Sequence, residues 1–199
     1  MLELRKRLQA VEEEQREQTK KRNKLLYQSE HDELTGLYNK RSLNRYLEDV
    51  FEACKLNEKE LGILFLDIDY FKQLNDRYGH GKGDEGICAV ADTLKRIFPE
   101  DYVARYGGDE FLVVMTGRDL TYVMEHAESL CAGIRECKIP NEDSEVESWL
   151  TISVGGVCAI PKEPNRVWDF LSAADNTLYE QKKEQKGKVR FYQGEGKYL

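Results

Sequence analysis

YVARYGGDEFLVVM, residues 102–115, reads as two strands joined by a tight turn. Tyr102–Tyr106 and Phe111–Met115 are rich in the aromatic and β-branched residues that suit a pleated surface. Gly107-Gly108-Asp109-Glu110 between them is a hairpin signal. A second apolar run, GILFLDID at 62–69, reads as a buried strand ending in the carboxylates Asp67 and Asp69. WLTISVGGVCAI at 149–160 and KVRFYQ at 188–193 read as two further strands.

Between the strands the apolar spacing becomes helical. Leu43, Leu47, Val50 and Cys54 mark a helix over about 40–58. A short helix is predicted from Tyr70 to about Arg77, followed by a Gly-rich turn, GHGKGD. Ile87 to Ile97, Val123 to Ile134 and Val167 to Leu178 give three more helices. The expectation is an α+β domain over 31–199, a central antiparallel sheet flanked by helices. Residues 1–30 stand apart from it, with no Gly and no Pro. Leu4, Leu8, Val11, Gln15, Gln18, Arg22 and Leu25 follow the alternating 4,3 spacing of a coiled-coil seam. Gln15, Gln18 and Arg22 interrupt its apolar character, so the expected stalk is a weak coil. The other reading of this segment is a solvated single helix.

The 199 residues are 40% hydrophobic and 34% charged, which excludes a disordered chain. No run approaches the roughly 18–20 apolar residues of a membrane span, and the charged N-terminus has no apolar signal core. The expected compartment is the cytoplasm, with any membrane link made by a partner or an upstream segment. A net charge of −7 argues against nucleic acid as a partner. Five cysteines without a CxxC pair suit reduced thiols.

Carboxylates at a strand end (Asp67, Asp69) and at a hairpin tip (Asp109, Glu110) are how a protein builds a site for a hard cation. Mg²⁺ takes one or two such groups plus substrate phosphates. Gly107 and Gly108 leave room for close backbone approach. Lys72 stands five residues past Asp67, where a cation meets a phosphate. Asn75, His80 and Asp84 cluster just after it. At a predicted helix start, Asp84 by itself reads as an N-cap.

Arg105-Tyr106-Gly107-Gly108-Asp109-Glu110-Phe111 resembles the signature of the GGDEF family, the diguanylate cyclases. Other family motifs stand in order: Asp32 to Asn39 (D-x-L-T-G-L-x-N), Leu66 to Asp76, Gly79 to Asp84 (G-H-x-x-G-D), Ser153-Val154-Gly155, and Ala174 to Tyr179. The resemblance covers about residues 30–193. It implies the nucleotidyl-cyclase, palm-like fold and condensation of two GTP into cyclic di-GMP across a homodimer. Asp67 and Asp109 would ligate Mg²⁺ or Mn²⁺, assisted by the Ile68 carbonyl. Asp109 would also help remove the ribose 3′-hydroxyl proton. Lys72 would stabilise the triphosphate, and Glu110 belongs to the signature. Asn75 and Asp84 would read guanine, with Phe71 and His80 in the same pocket. Lys182 and Lys186 would hold phosphate. A sensor domain or partner would supply the signal, and the stalk would pair the protomers. The alternative is a silent GGDEF domain used for nucleotide binding or dimerisation. Silent versions are expected to lose metal ligands or signature glycines, which this chain keeps.

Two departures stand out. The family's product-inhibition motif R-x-x-D is Phe98-Pro99-Glu100-Asp101 here, and a neutral ring cannot replace a guanidinium's grip on phosphate. The family's L-Y-x-A-K-x-x-G-R-N appears as Leu178 to Lys188, with Lys182 in the lysine position, a late Gly187, and Lys186 near the usual arginine.

Overall fold

The computed structural model describes residues 2–192, with side chains from residue 13 onward. Gln193 of the predicted final strand, residues 194–199, and the side chains of Leu4, Leu8 and Val11 lie outside the described residues. The elements run α1 (Leu2–Glu30), β1 (Tyr38–Asn39), α2 (Lys40–Leu56), β2 (Leu61–Ile68), α3 (Phe71–Tyr78), α4 (His80–Ile97), β3 (Tyr102–Gly107), β4 (Glu110–Thr116), α5 (Leu120–Glu136), β5 (Ile152–Ala159), α6 (Val167–Glu184) and β6 (Val189–Phe191).

The strands form one sheet in the order β1-β3-β4-β2-β5-β6. The inner four pair antiparallel, as expected from the hairpin. The two edge strands pair parallel, β1 on β3 and β6 on β5, so the sheet as a whole is mixed. β2 lies at its centre and is buried on both faces, which is why its sequence is a nearly continuous apolar run. The pleat sends Leu64, Leu66 and Ile68 into the layer packed by α4 and α5, and Leu61, Ile63 and Phe65 into the layer under α2 and α6. Asp67 follows Phe65 onto the α6 side.

The helices obey their spacing. On α2, Leu43, Leu47, Phe51 and Cys54 are buried, and the Asn39 side chain caps the helix by accepting from the Ser42 N–H at 3.0 Å. Leu43 and Leu47 are fully buried, each stabilising the fold by roughly 1.5–3 kcal/mol relative to exposure. On α1 every described side chain through Ser29 is exposed. Among the described residues no helix is long and apolar enough to cross a membrane.

One element begins earlier than the sequence suggests. GHGKGD is not a turn: α4 starts at His80, and only Gly79, at φ +82, separates it from α3. Asp84 therefore sits inside the helix and is not its N-cap. The close crossing of α3 and α4 outweighs the poor helix propensity of Gly81 and Gly83. A Cβ at Gly83 would lie 2.0 Å from Asn75 Oδ1.

Candidate active site

Strand pairing builds the centre of the site. Asp67 on β2 stands opposite Glu110 on β4, so the two carboxylates share the α6 face of the sheet. Asp109 precedes Glu110 in the turn, and its carbonyl accepts from the Ile68 N–H at 3.3 Å, which draws the hairpin tip onto the end of β2. Arg105 pins the same turn. Its Nε and a terminal nitrogen donate to the Gly108 carbonyl at 3.0 and 2.7 Å, and its other terminal nitrogen donates to the Asp32 carboxylate at 3.1 and 3.2 Å.

The carboxylates crowd one another. Burial pushes Asp67 up to about 6, and the charges of Asp109 and Asp69 act in the same direction. The Lys182 ammonium, 2.5 Å from Asp67 Oδ1, opposes the rise. Glu110 is also raised, by burial and then by Asp109 and by Asp175 on α6. The sequence reading includes Asp175 in the Ala174–Tyr179 motif but gives it no role in the site; its helical position gives no sign that it faces the hairpin.

Asp69 has a different task from Asp67. It is fully buried, and its two oxygens accept from Thr151 Oγ1 at 2.9 Å and Ser153 Oγ at 2.7 Å. It ties the end of β2 to β5 and its neighbouring segment. The strand end thus offers a ligand one carboxylate, Asp67 with its Lys182 ion pair, and not two.

Among the described residues, no three His, Cys, Asp or Glu side chains are gathered tightly enough to enclose a metal. The donor set nevertheless fits Mg²⁺ or Mn²⁺. Such ions take only one or two carboxylates when a substrate brings phosphates. Asp67 and Asp109, with the Ile68 carbonyl, are hard oxygen donors, and burial first, with the nearby Asp109 and Asp69 charges adding to it, makes the ionised Asp67 carboxylate costly without a cation beside it.

The predicted base pocket lies along α3 and α4. Asn75 packs into the space left by Gly83, beside the Phe71 ring. Its Oδ1 is shut off from solvent against Gly83 and has no hydrogen-bond partner. His80 and Asp84 are exposed and one turn apart on α4, so they share a face. Lys72 is exposed on the first turn of α3. Lys186 lies with its ammonium over the Tyr70 ring. At the departed inhibition motif, Phe98 is 1% exposed in the core, so it presents no group to a ligand.

The family model for the diguanylate cyclase GGDEF domain matches residues 29–188. "Probable diguanylate cyclase DgcC" of Escherichia coli (strain K12) is 32% identical over 163 residues, 81% of this chain and 43% of that protein. The chain spans less than half the length of the curated relatives it matches, such as DgcC. Diguanylate cyclase SiaD of Pseudomonas aeruginosa, solved with its activator SiaC, is 26% identical with a TM-score of 0.72, covering 95% of this chain and 73% of that one. The coiled coil and GGDEF domain of DgcB from Caulobacter crescentus, solved with c-di-GMP, gives a TM-score of 0.84. It covers 94% of this chain and 98% of that one, and at 24% identity it shows the fold. With the signature turn, its carboxylates and the sheet order all in place over the matched residues, the chain belongs to the GGDEF-domain diguanylate cyclase family.

Proposed function

We propose that the chain condenses two GTP molecules into cyclic di-GMP, with Mg²⁺ and with two copies of the domain facing each other in the cytoplasm. The observation that carries this reading is the crowding of Asp67, Asp109 and Glu110 at the end of paired strands, with Asp67 raised to about 6. Phosphoryl transfer is governed by positioning and charge neutralisation, which such a cluster serves once a cation joins it. The metal, when bound, neutralises phosphate charge and acidifies the attacking hydroxyl.

The remaining roles belong to side chains. Asp84 accepts from the guanine N1–H and N2 amine, and the Asn75 amide, held by its packing on Gly83, meets the base's remaining polar edge. Adenine presents a lone pair at N1 instead, and leaving a polar group unpaired discriminates by about 10⁴. Lys72, Lys182 and Lys186 meet the phosphates. Asp109 takes the 3′-hydroxyl proton as that oxygen attacks the α-phosphorus of the GTP on the opposite protomer. The α–β bond breaks and pyrophosphate leaves. The second, reciprocal attack closes the ring. One base pocket per domain holds one GTP, so the reaction needs two chains, brought together by α1. The signal enters through a sensor domain or partner protein.

Incubation with GTP and Mg²⁺ across protein concentrations, followed by chromatography of the product, tests this reading. Cyclic di-GMP is expected, and Asp109→Asn should lower turnover about 100-fold or more without changing the melting temperature much. Tight GTP binding with no product would leave the silent module as the function.

A further inference from the structure

We propose that Tyr70 is a positioning residue for the nucleotide's phosphates, acting through Lys186; the inference rests on the functional reading above. Lys186 stands near the usual arginine of the family pattern. An arginine brings a planar, pre-organised fork to a phosphate, whereas a lysine ammonium rides on a flexible four-carbon stem. The fold removes that flexibility in two ways.

The first is the ring. Lys186 Nζ lies 3.9 Å from the centroid of Tyr70. Tyr70 is itself fixed, because it holds a left-handed φ of +54 between β2 and α3 and its hydroxyl donates to Glu145 at 2.9 Å. A ring face attracts the ammonium without neutralising it, so the cation keeps its charge and its donors for a ligand. A carboxylate in the same place would compete with phosphate.

The second is the backbone. Gly187, the residue that arrives late against the family pattern, takes φ +76, and a Cβ there would lie 2.7 Å from Val146. Its N–H donates to Ser153 Oγ at 3.1 Å, and its carbonyl accepts from Arg135 at 2.5 Å. Ser153 is the same side chain that holds Asp69 at the end of β2. The turn carrying Lys186 is therefore referenced to the strand that carries Asp67. Beside this turn opens a cleft of about 330 Å³, lined by Tyr70, Lys182, Lys183 and Lys186 together with the carboxylates Glu145 and Glu184. Its three lysines outnumber its two carboxylates, and that cationic surplus points to a phosphate chain as ligand. A cation ordered before the ligand arrives loses less freedom on binding.

The test uses the full chain, Mg²⁺, and two probes in calorimetry: 3′-deoxy-GTP, which carries the triphosphate but cannot condense, and GMP. Tyr70→Leu should weaken 3′-deoxy-GTP by about three- to fivefold and leave GMP unchanged. Tyr70→Phe, which keeps the ring and loses only the Glu145 bond, should restore most of the affinity. Lys186→Met should give a triphosphate-selective loss that Tyr70→Leu does not deepen, and it reads the coupling from the lysine side if Tyr70→Leu does not fold. Equal losses for both probes, or additive losses in the double variant, would overturn the role of Tyr70. If the wild-type chain binds GMP as tightly as 3′-deoxy-GTP, it is the phosphate reading of the cleft that falls.

Discussion

Burial lifts the Asp67 carboxyl to about 6, so at neutral pH the fold holds a charge that it would be more stable without. A carboxyl raised above its unfolded value of 3.8 favours the native state most below that value, and the advantage is lost as pH rises through about 6. The gap, in which the Lys182 ion pair already offsets part of the burial cost, sets an upper bound of ~3 kcal/mol. In chelator, Asp67→Asn should therefore raise stability at pH 8 by on the order of 1 kcal/mol, with a smaller gain at pH 4, while removing metal-dependent turnover. Chemical denaturation at the two pH values measures this; equal effects at both would mean that the charge is not what burial penalises. Gly83 gives a second prediction at this scale. Any Cβ there meets Asn75 Oδ1, so Gly83→Ala should push the amide out of the base pocket. GTP affinity should fall by about tenfold, and discrimination against ATP should relax with it. Isothermal titration with both nucleotides checks both effects. Neither consequence is legible in the sequence. Asp67 and Asp69 look alike as letters, and only their partners, Thr151 and Ser153 for Asp69 against Lys182 for Asp67, separate a structural carboxyl from one at the site.

The hairpin β3–β4 was legible because Gly107-Gly108 between two apolar runs has few other readings, and its antiparallel pairing followed at once. β1 was not, because two residues make no periodic pattern; its pairing to β3 is a tertiary event. The first turn of α4 was hidden by its own glycines, which local propensity reads as a loop and close helix packing explains. Arg105 shows what connects such elements. It joins the segment after the stalk, through Asp32, to the Gly108 carbonyl beside Asp109. Burial pushes the Asp32 carboxyl up, but the Thr35 and Arg105 contacts outweigh it and hold it below its usual value. The pair should stabilise the fold above pH 3.8 and fade as the acid titrates below it. Both side chains are mostly buried, so Arg105→Met should cost about 1–3 kcal/mol in urea unfolding at pH 7. Asp32→Asn should cost less in that background than in the wild-type chain, because its Arg105 partner is already gone. Strict additivity of the two substitutions would mean that the turn and the stalk junction are not linked through this pair.

At the scale of the whole molecule, the stalk and the catalytic face are joined by more than chain continuity. Tyr27 at the end of α1 stacks on His31, His31 on Tyr38, Tyr38 on Tyr102 and Tyr102 on Tyr46, with centroids 3.9, 4.5, 4.1 and 3.9 Å apart. That column runs from the exposed helix through β1 and β3 to α2, on the sheet edge that continues into the signature hairpin. A shift of α1 therefore moves a packed column, not a loose tether. Two GTP-loaded domains meeting by free diffusion lose several kcal/mol of translational and rotational freedom. A paired α1 offsets that loss by raising the local concentration to about millimolar. In the α1 pairing proposed above, Gln15, Gln18 and Arg22 weaken the seam, so the chain should dissociate on dilution. Replacing the three with Leu should tighten the dimer and raise specific activity at nanomolar protein. Deleting residues 1–24, which spares Tyr27 and the column below it, should leave the melting transition in place and make specific activity fall steeply with dilution. Sedimentation and turnover measured on the same samples decide the matter. A truncated chain that sediments as a monomer and keeps constant specific activity would overturn both the two-chain reaction and the pairing role of α1.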